Sequence, residues 1–155
     1  EIYTLSLHDA LPISTALDAT IQDQVLDLIE KLMKEFGTSL LLITHDLGVV
    51  AEICQKAAII YAGEIVEYGT LEHIYNRTRH PYTVGLFGSV PNLNQSVQRL
   101  TPIKGLMPDP TVVPQGCVFA PRCPDAMEQC TKARIPTVEV EPGHLVKCIK
   151  YHSLA

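Results

Sequence analysis

The sequence predicts an α/β fold, in which a parallel sheet is covered by helices and followed by a small irregular extension carrying cysteines. Three observations predict it. Leu40-Leu41-Leu42-Ile43 is an unbroken apolar run that stops at Thr44-His45-Asp46, as a strand buried on both faces should. Apolar residues recur at helical spacing just before it. Beyond residue 90 periodicity fades, while prolines and Cys117, Cys123, Cys130 and Cys148 accumulate.

In chain order, residues 1–14 show no sustained period and read as a disordered or foreign segment. Ser6, His8 and Asp9 could be mistaken for a catalytic set, but a triad is recognised by geometry, not by closeness in sequence. Thr20 is an expected N-cap, with Asp23 as a weak capping-box partner. Ile21, Val25, Leu28, Ile29, Leu32, Met33 and Phe36 then form one broad apolar stripe, expected to bury Ile21, Val25, Leu28 and Leu32 against a sheet. Lys31 and Lys34 suit the C-terminal end of that helix, and Gly37 its C′ position.

The run Leu40–Ile43 is the expected central strand. His45 then stands at its carboxyl end, where open α/β sheets bind ligands. Asp46 is placed to cap a helix with apolar positions Leu47, Val50, Ala51 and Cys54. Ala57–Tyr61 and Glu64–Gly69, joined by Ala62-Gly63, read as a β-hairpin. Thr70 should cap a short helix over 71–76. Pro81 excludes His80 from a helix and opens a second short one, Tyr82 to about Ser89. Pro91, Pro102, Pro108, Pro110, Pro114, Pro121 and Pro124 then mark a segment with too little regular structure to bury a core unaided. The expected boundaries are therefore 1–14, 15–90 and 91–155.

Composition narrows the function. The chain has 155 residues, 46% hydrophobic and 19% charged, with a formal charge of -5 and no Trp. That disfavours a nucleic-acid surface. The longest apolar runs are too short to span a membrane. The opening residues have no basic and apolar leader, so the expected compartment is the cytoplasm. There, five cysteines point to metal or free thiols more than to disulfides.

Several of these stretches resemble the ATP-binding subunits of ABC transporters, in particular the dipeptide and oligopeptide importer group. Thr15-Ala16-Leu17-Asp18 is similar to the D-loop. Ile43-Thr44-His45-Asp46 is similar to the strand end that carries the switch histidine. Tyr61–Gly69 resembles the hairpin that follows it. His80-Pro81-Tyr82-Thr83 resembles the start of the peptide-importer extension, and Gly116-Cys117 to Cys130, with Cys148, its cysteine cluster. The resemblance covers about residues 15–150. It implies a truncated P-loop NTPase-type parallel sheet and a parent that uses ATP and Mg²⁺. In that parent, Thr44 and His45 would face nucleotide, His45 acting on the γ-phosphate and water, and Asp18 would lie at the dimer interface. The implied partners are a second ATP-binding subunit, transmembrane permease subunits and, indirectly, an extracytoplasmic peptide-binding protein. The implied location is the cytoplasmic face of the inner membrane, and the implied solute a peptide, with nickel as the alternative.

Departures from the family pattern matter as much. No G-x-x-x-x-G-K-[ST] occurs, so the phosphate cradle and its lysine are missing from this sequence. No LSGG-type signature precedes the D-loop. Leu11 and Pro12 stand where the family has Asp-Glu, and Asp9 is out of register with them. The chain alone is therefore expected to be catalytically inactive. The alternative reading is a non-enzymatic metal-binding or regulatory module built on the cysteines. A small hydrolase using His45 and Asp46 is disfavoured, because no nucleophile stands at strand-turn-helix spacing.

The four extension cysteines are spaced C-x5-C-x6-C-x17-C, wider than the tight pairs of zinc fingers. Four thiolates on wide loops suit an iron-sulfur cluster, and the family resemblance also implies a four-cysteine cluster site. The expected cofactor is a [4Fe-4S] cluster, with zinc or free thiols as the alternatives. Cys54 falls on the apolar side of a helix and reads as a small buried hydrophobe.

Overall fold

The computed structural model describes residues 19–89, 102–109, 111 and 114–152, which form two compact units meeting in sequence at Cys54/Gln55. The first unit holds α1 (Ala19–Phe36) and α2 (Leu47–Ile53). Helix α1 already includes Thr20, so that residue is helical and not the cap. Gly37 ends the helix at φ +63°, the left-handed conformation glycine adopts without a Cβ penalty. Asp46 caps α2 as expected: its Oδ1 accepts from the N–H of Gly48 at 2.8 Å and of Val49 at 3.2 Å.

The faces these helices bury differ from the sequence expectation. Leu26 packs with Val49 and Ile53 of α2, and Ile29, Leu42 and Cys54 flank them. Ile21, Leu28, Leu32 and Phe36 are exposed, and Val25 is half-buried. On α2 the buried positions are Val49 and Ile53, whereas Ala51 is exposed. Residues 38–44 form no strand ladder, and Leu41 and Ile43 are 80% and 81% exposed. The expected doubly buried strand is thus corrected to an uncovered run. The physical reason is local supply: a parallel strand needs neighbours on both sides, and the described strands are all committed to another sheet.

That sheet lies in the second unit. Strands β1 (Lys56–Tyr61), β2 (Glu64–Thr70), β3 (Val138–Glu141) and β4 (His144–Val146) form a four-stranded sheet in the order β1-β2-β4-β3. Every pairing in it is antiparallel. The fold is α/β in composition, as expected, but its described sheet is antiparallel and not the parallel one. The hairpin turn puts Ala62 at φ 46° and Gly63 at φ 80°, the double positive φ of a type I′ connection. Residues 64–70 and 144–146 share this sheet, so the second unit spans both sides of the boundary expected near residue 90. That boundary itself lies outside the described residues.

Two short helices lock onto the hairpin. In α3 (Leu71–Asn76) the Thr70 hydroxyl accepts from the His73 N–H at 3.3 Å, the cap the sequence predicts. In α4 (Pro81–Gly88) Pro81 occupies the first turn, where its missing N–H costs nothing. The core is Ile59, Tyr61, Val66, Ile74, Val118 and Phe119. Phe119 meets Tyr61 edge-on at 5.1 Å and Tyr82 at 5.5 Å. Residues 117–123 thus enter the hairpin's core and do not hang from it as a separate tail. Arg122 fixes residues 103–104 by donating to the carbonyls of Ile103 and Lys104, both at 3.1 Å.

Candidate functional site

His45 stands exposed at a bend between the uncovered run and α2. Its neighbours are engaged locally. The Thr44 hydroxyl accepts from the Asp46 N–H at 3.0 Å, and Asp46 caps α2. Asp18 lies outside the described residues. The structure therefore places His45 at a helix entry, as the sequence suggests, without assembling the rest of a nucleotide site around it.

The four extension cysteines are brought together. Cys117, Cys123, Cys130 and Cys148 line one largely apolar cavity with Phe119, beneath His80-Pro81. All four are free thiols. The loops are held by a tight crossing: the Cys117 N–H donates to the Cys130 carbonyl at 2.7 Å. Gly116 permits it, because a Cβ there would collide with that carbonyl oxygen and lie 2.8 Å from Thr131 Cα. Cys130 sits at the start of α5 (Gln129–Lys132).

Each sulfur accepts at least one peptide N–H. Cys117 takes those of Phe119 and Ala120, Cys123 that of Asp125, and Cys148 that of Lys150. Cys130 Sγ accepts from Met127 at 3.4 Å. Burial pushes the thiols of Cys117, Cys123 and Cys148 up, the N–H bonds pull them back, and each also feels its neighbouring cysteines. Cys117, Cys123 and Cys148 therefore hold their protons, and a cation that takes them must displace those protons.

The donor chemistry fits a metal: four thiols converge, none is spent on a disulfide, and N–H···S bonds of this kind tune thiolate clusters. The shape is less decisive. About 20 Å³ is open between the walls, room for roughly one water-sized group. Yet no three of these sulfurs lie mutually within 4.8 Å among the described residues. A zinc tetrahedron with Zn–S of about 2.3 Å would hold them near 3.8 Å.

Sequence reasoning missed the polar knot beside this cavity. Glu67 is fully buried on β2. Its carboxylate accepts from the N–H of Arg79 at 2.7 Å and of His80 at 3.0 Å, and bonds His144 Nε2 at 2.8 Å. It ties the turn before α4 to β4. Burial lowers His80 to about 4, so its ring is neutral and Nδ1 can accept from the Tyr82 N–H at 3.1 Å. The one signal in the sequence was a glutamate set among apolar strand residues.

Residues 66–130 match the family described as "Oligopeptide/dipeptide transporter, C-terminal region". The matched stretch contains Glu67 and its partners at Arg79 and His80, the His80-Pro81 turn and three of the four cavity cysteines, while His144 lies beyond it. The chain corresponds to the C-terminal part of an oligopeptide-importer ATP-binding subunit. It is 44% identical to the oligopeptide transport ATP-binding protein AppD of Bacillus subtilis over 138 residues, 89% of this chain and 42% of AppD. With OppD of Salmonella typhimurium, an oligopeptide transport ATP-binding protein, it shares 44% over 137 residues, 88% of this chain and 41% of OppD. The dipeptide transport ATP-binding protein DppD of Bacillus subtilis is 44% identical over 135 residues, 87% of this chain and 40% of DppD. The chain spans less than half the length of these relatives. No described helix is long and apolar enough to cross a membrane.

Proposed function

We propose that this chain supplies the C-terminal part of an ATPase that powers peptide uptake, with nickel as the other candidate solute. It would act on the cytoplasmic face of the membrane with a second ATP-binding subunit, permease subunits and, through them, an extracytoplasmic peptide-binding protein. The observation that carries the reading is the 44% identity to peptide-transport ATP-binding proteins across nearly the whole chain. The uncovered faces support it. Leu28, Phe36, Leu41 and Ile43 are all more than half exposed, as expected of a helix and strand whose sheet neighbours come from the remainder of the parent. In that setting residues 40–43 would join the parallel sheet. His45 and Thr44 would face the γ-phosphate of ATP with Mg²⁺, and Asp18 the partner subunit. Catalysis of this kind is mostly positioning and charge stabilisation, so His45 contributes geometry that the chain alone cannot complete.

Fusing residues 15–155 to the N-terminal part of the Salmonella OppD tests this. The fusion should hydrolyse ATP, and His45→Ala should abolish turnover while ATP binding persists. Turnover unaffected by His45→Ala would overturn the assignment.

The cavity is read as a cluster site, with Cys117, Cys123, Cys130 and Cys148 holding [4Fe-4S]. The wide C-x5-C-x6-C-x17-C spacing along the sequence supports it over zinc, although the loops would have to part beyond the present opening of about 20 Å³ to admit a cluster. When bound, the group ties the loops together, since metal-binding free energy becomes folding free energy. Anaerobic purification followed by iron, sulfide and zinc analysis decides it. Iron with sulfide supports the cluster, zinc alone replaces it with a structural zinc site, and a folded metal-free chain removes the site.

A further inference from the structure

A second donor set lies in the same unit, apart from the thiols. His73, Glu141 and His144 each bring one ligand atom to within 4.8 Å of the others. His144 is fully buried and His73 only 7% exposed. The Nδ1 atoms of both are buried without a hydrogen-bond partner. Two such orphans side by side are unusual in a folded chain.

The His144 tautomer is set by its surroundings. Nε2 lies 2.8 Å from Glu67 Oε1. Both Glu67 oxygens already accept backbone N–H groups, so the contact suits the tautomer with its N–H at Nε2, which leaves the Nδ1 lone pair open to a ligand. A carboxylate behind an imidazole is the usual way a metal-ligating histidine is oriented. The His73 ring stacks on it at 4.6 Å, 7° from parallel. Gly69 makes the space, since a Cβ there would lie 2.9 Å from His73 Nδ1. Glu141 stands at the rim, bonded by Arg77 at 2.7 Å and Arg79 at 2.8 Å. Those bonds use two of about four lone pairs on the carboxylate and leave capacity for a further partner.

We propose that His73 Nδ1, His144 Nδ1 and the Glu141 carboxylate form a site for a divalent ion of the Zn²⁺ type. Imidazole with carboxylate suits borderline first-row ions, and three protein ligands leave a fourth position for water. Imidazole lone pairs lie in the ring plane, so for the two stacked rings to share one ion the His73 ring must turn out of the stack. Arg77 and Arg79 compete with the ion for Glu141. The site does not depend on the transport assignment.

Co²⁺ added to the full chain with Cys117, Cys123, Cys130 and Cys148 blocked by alkylation or already loaded is the optical probe. One equivalent should bind with ligand-field absorption typical of nitrogen and oxygen donors, lacking thiolate-to-cobalt charge transfer. His73→Asn and Glu141→Gln should each weaken binding about tenfold or more. Arg77→Ala should tighten it several-fold, an effect no merely structural role of the histidines produces. Arg77 is exposed and Glu141 only half-buried, so their variants carry the decision should His73→Asn misfold. Cobalt uptake indifferent to Glu141→Gln and Arg77→Ala, or a folded chain that takes up none, would overturn the proposal.

Discussion

Gly116→Ala is the sharpest single perturbation of the cysteine cavity. Gly116 is not among the positive-φ glycines, so alanine pays no backbone penalty there and the effect is steric. The new methyl would overlap the Cys130 carbonyl and crowd Thr131 Cα at 2.8 Å. Both obstacles are backbone and cannot rotate away. Overpacking of this kind costs about 1–3 kcal/mol. Separating the strands also breaks the Cys117 N–H bond to Cys130, worth about 0.5–1.5 kcal/mol. The expected loss is about 2–4 kcal/mol, a fall of roughly 1–2 M in the urea midpoint for a unit of this size. Because Cys117 moves with Gly116, metal retained on purification should fall with it. Gly88→Ala is the control. It ends α4 with nothing within 4 Å of the added methyl, and should be neutral or stabilise by up to about 1 kcal/mol. Urea unfolding of both variants beside the parent chain, with metal analysis, reads the result. An unshifted midpoint and full metal content in Gly116→Ala would refute the close-approach argument.

Glu67→Ala should destabilise the second unit by about 3–5 kcal/mol, since it strands two buried N–H groups and His144 Nε2 at once; chemical denaturation measures it, and a loss under about 1 kcal/mol would remove Glu67 from the centre of the fold. Phe119→Ala empties the site where Tyr61 and Tyr82 meet and should cost about 3–5 kcal/mol by the same assay. Asp46→Ala removes the acceptor for two N–H groups of α2 and should weaken that helix by about 1 kcal/mol, seen as faster amide exchange at Gly48 and Val49.

The elements legible in the sequence are those whose cause is local. Asp46, Thr70, Gly37 and the Ala62-Gly63 turn each act within a few residues, so side-chain chemistry alone announces them. That the four wide-spaced cysteines come together is an expectation from their shared setting, and they do line one cavity. What could not be read was set by distance. Glu67 takes its partners from 12, 13 and 77 residues away, and no window of sequence contains them. The residues 138–146 hairpin was hidden because its β4 strand is three residues long and completes a sheet begun by β2. The α1 stripe misled for a different reason. It is apolar over more of its circumference than α2 can cover, so Leu26 and Ile29 are packed while Leu28 and Phe36 are left bare.

That contrast separates two kinds of site. Around the cysteines, the chain provides its own walls: Phe119 enters the hairpin core, Arg122 fixes residues 103–104, and Glu67 holds the turn before α4. Loops so anchored hold four thiols around one cavity by themselves, which would lower the ordering cost of binding the proposed cluster. Around His45 the chain provides only a capped helix entry, and the neighbouring Leu41 and Ile43 remain in solvent. His45 is exposed and no described group fixes its ring, whereas phosphate chemistry needs reacting groups held to within about an ångström. Substitutions in the second unit should therefore be felt in this chain by itself, whereas the consequence of changing His45 depends on whatever covers the bare face of α1 and residues 40–43.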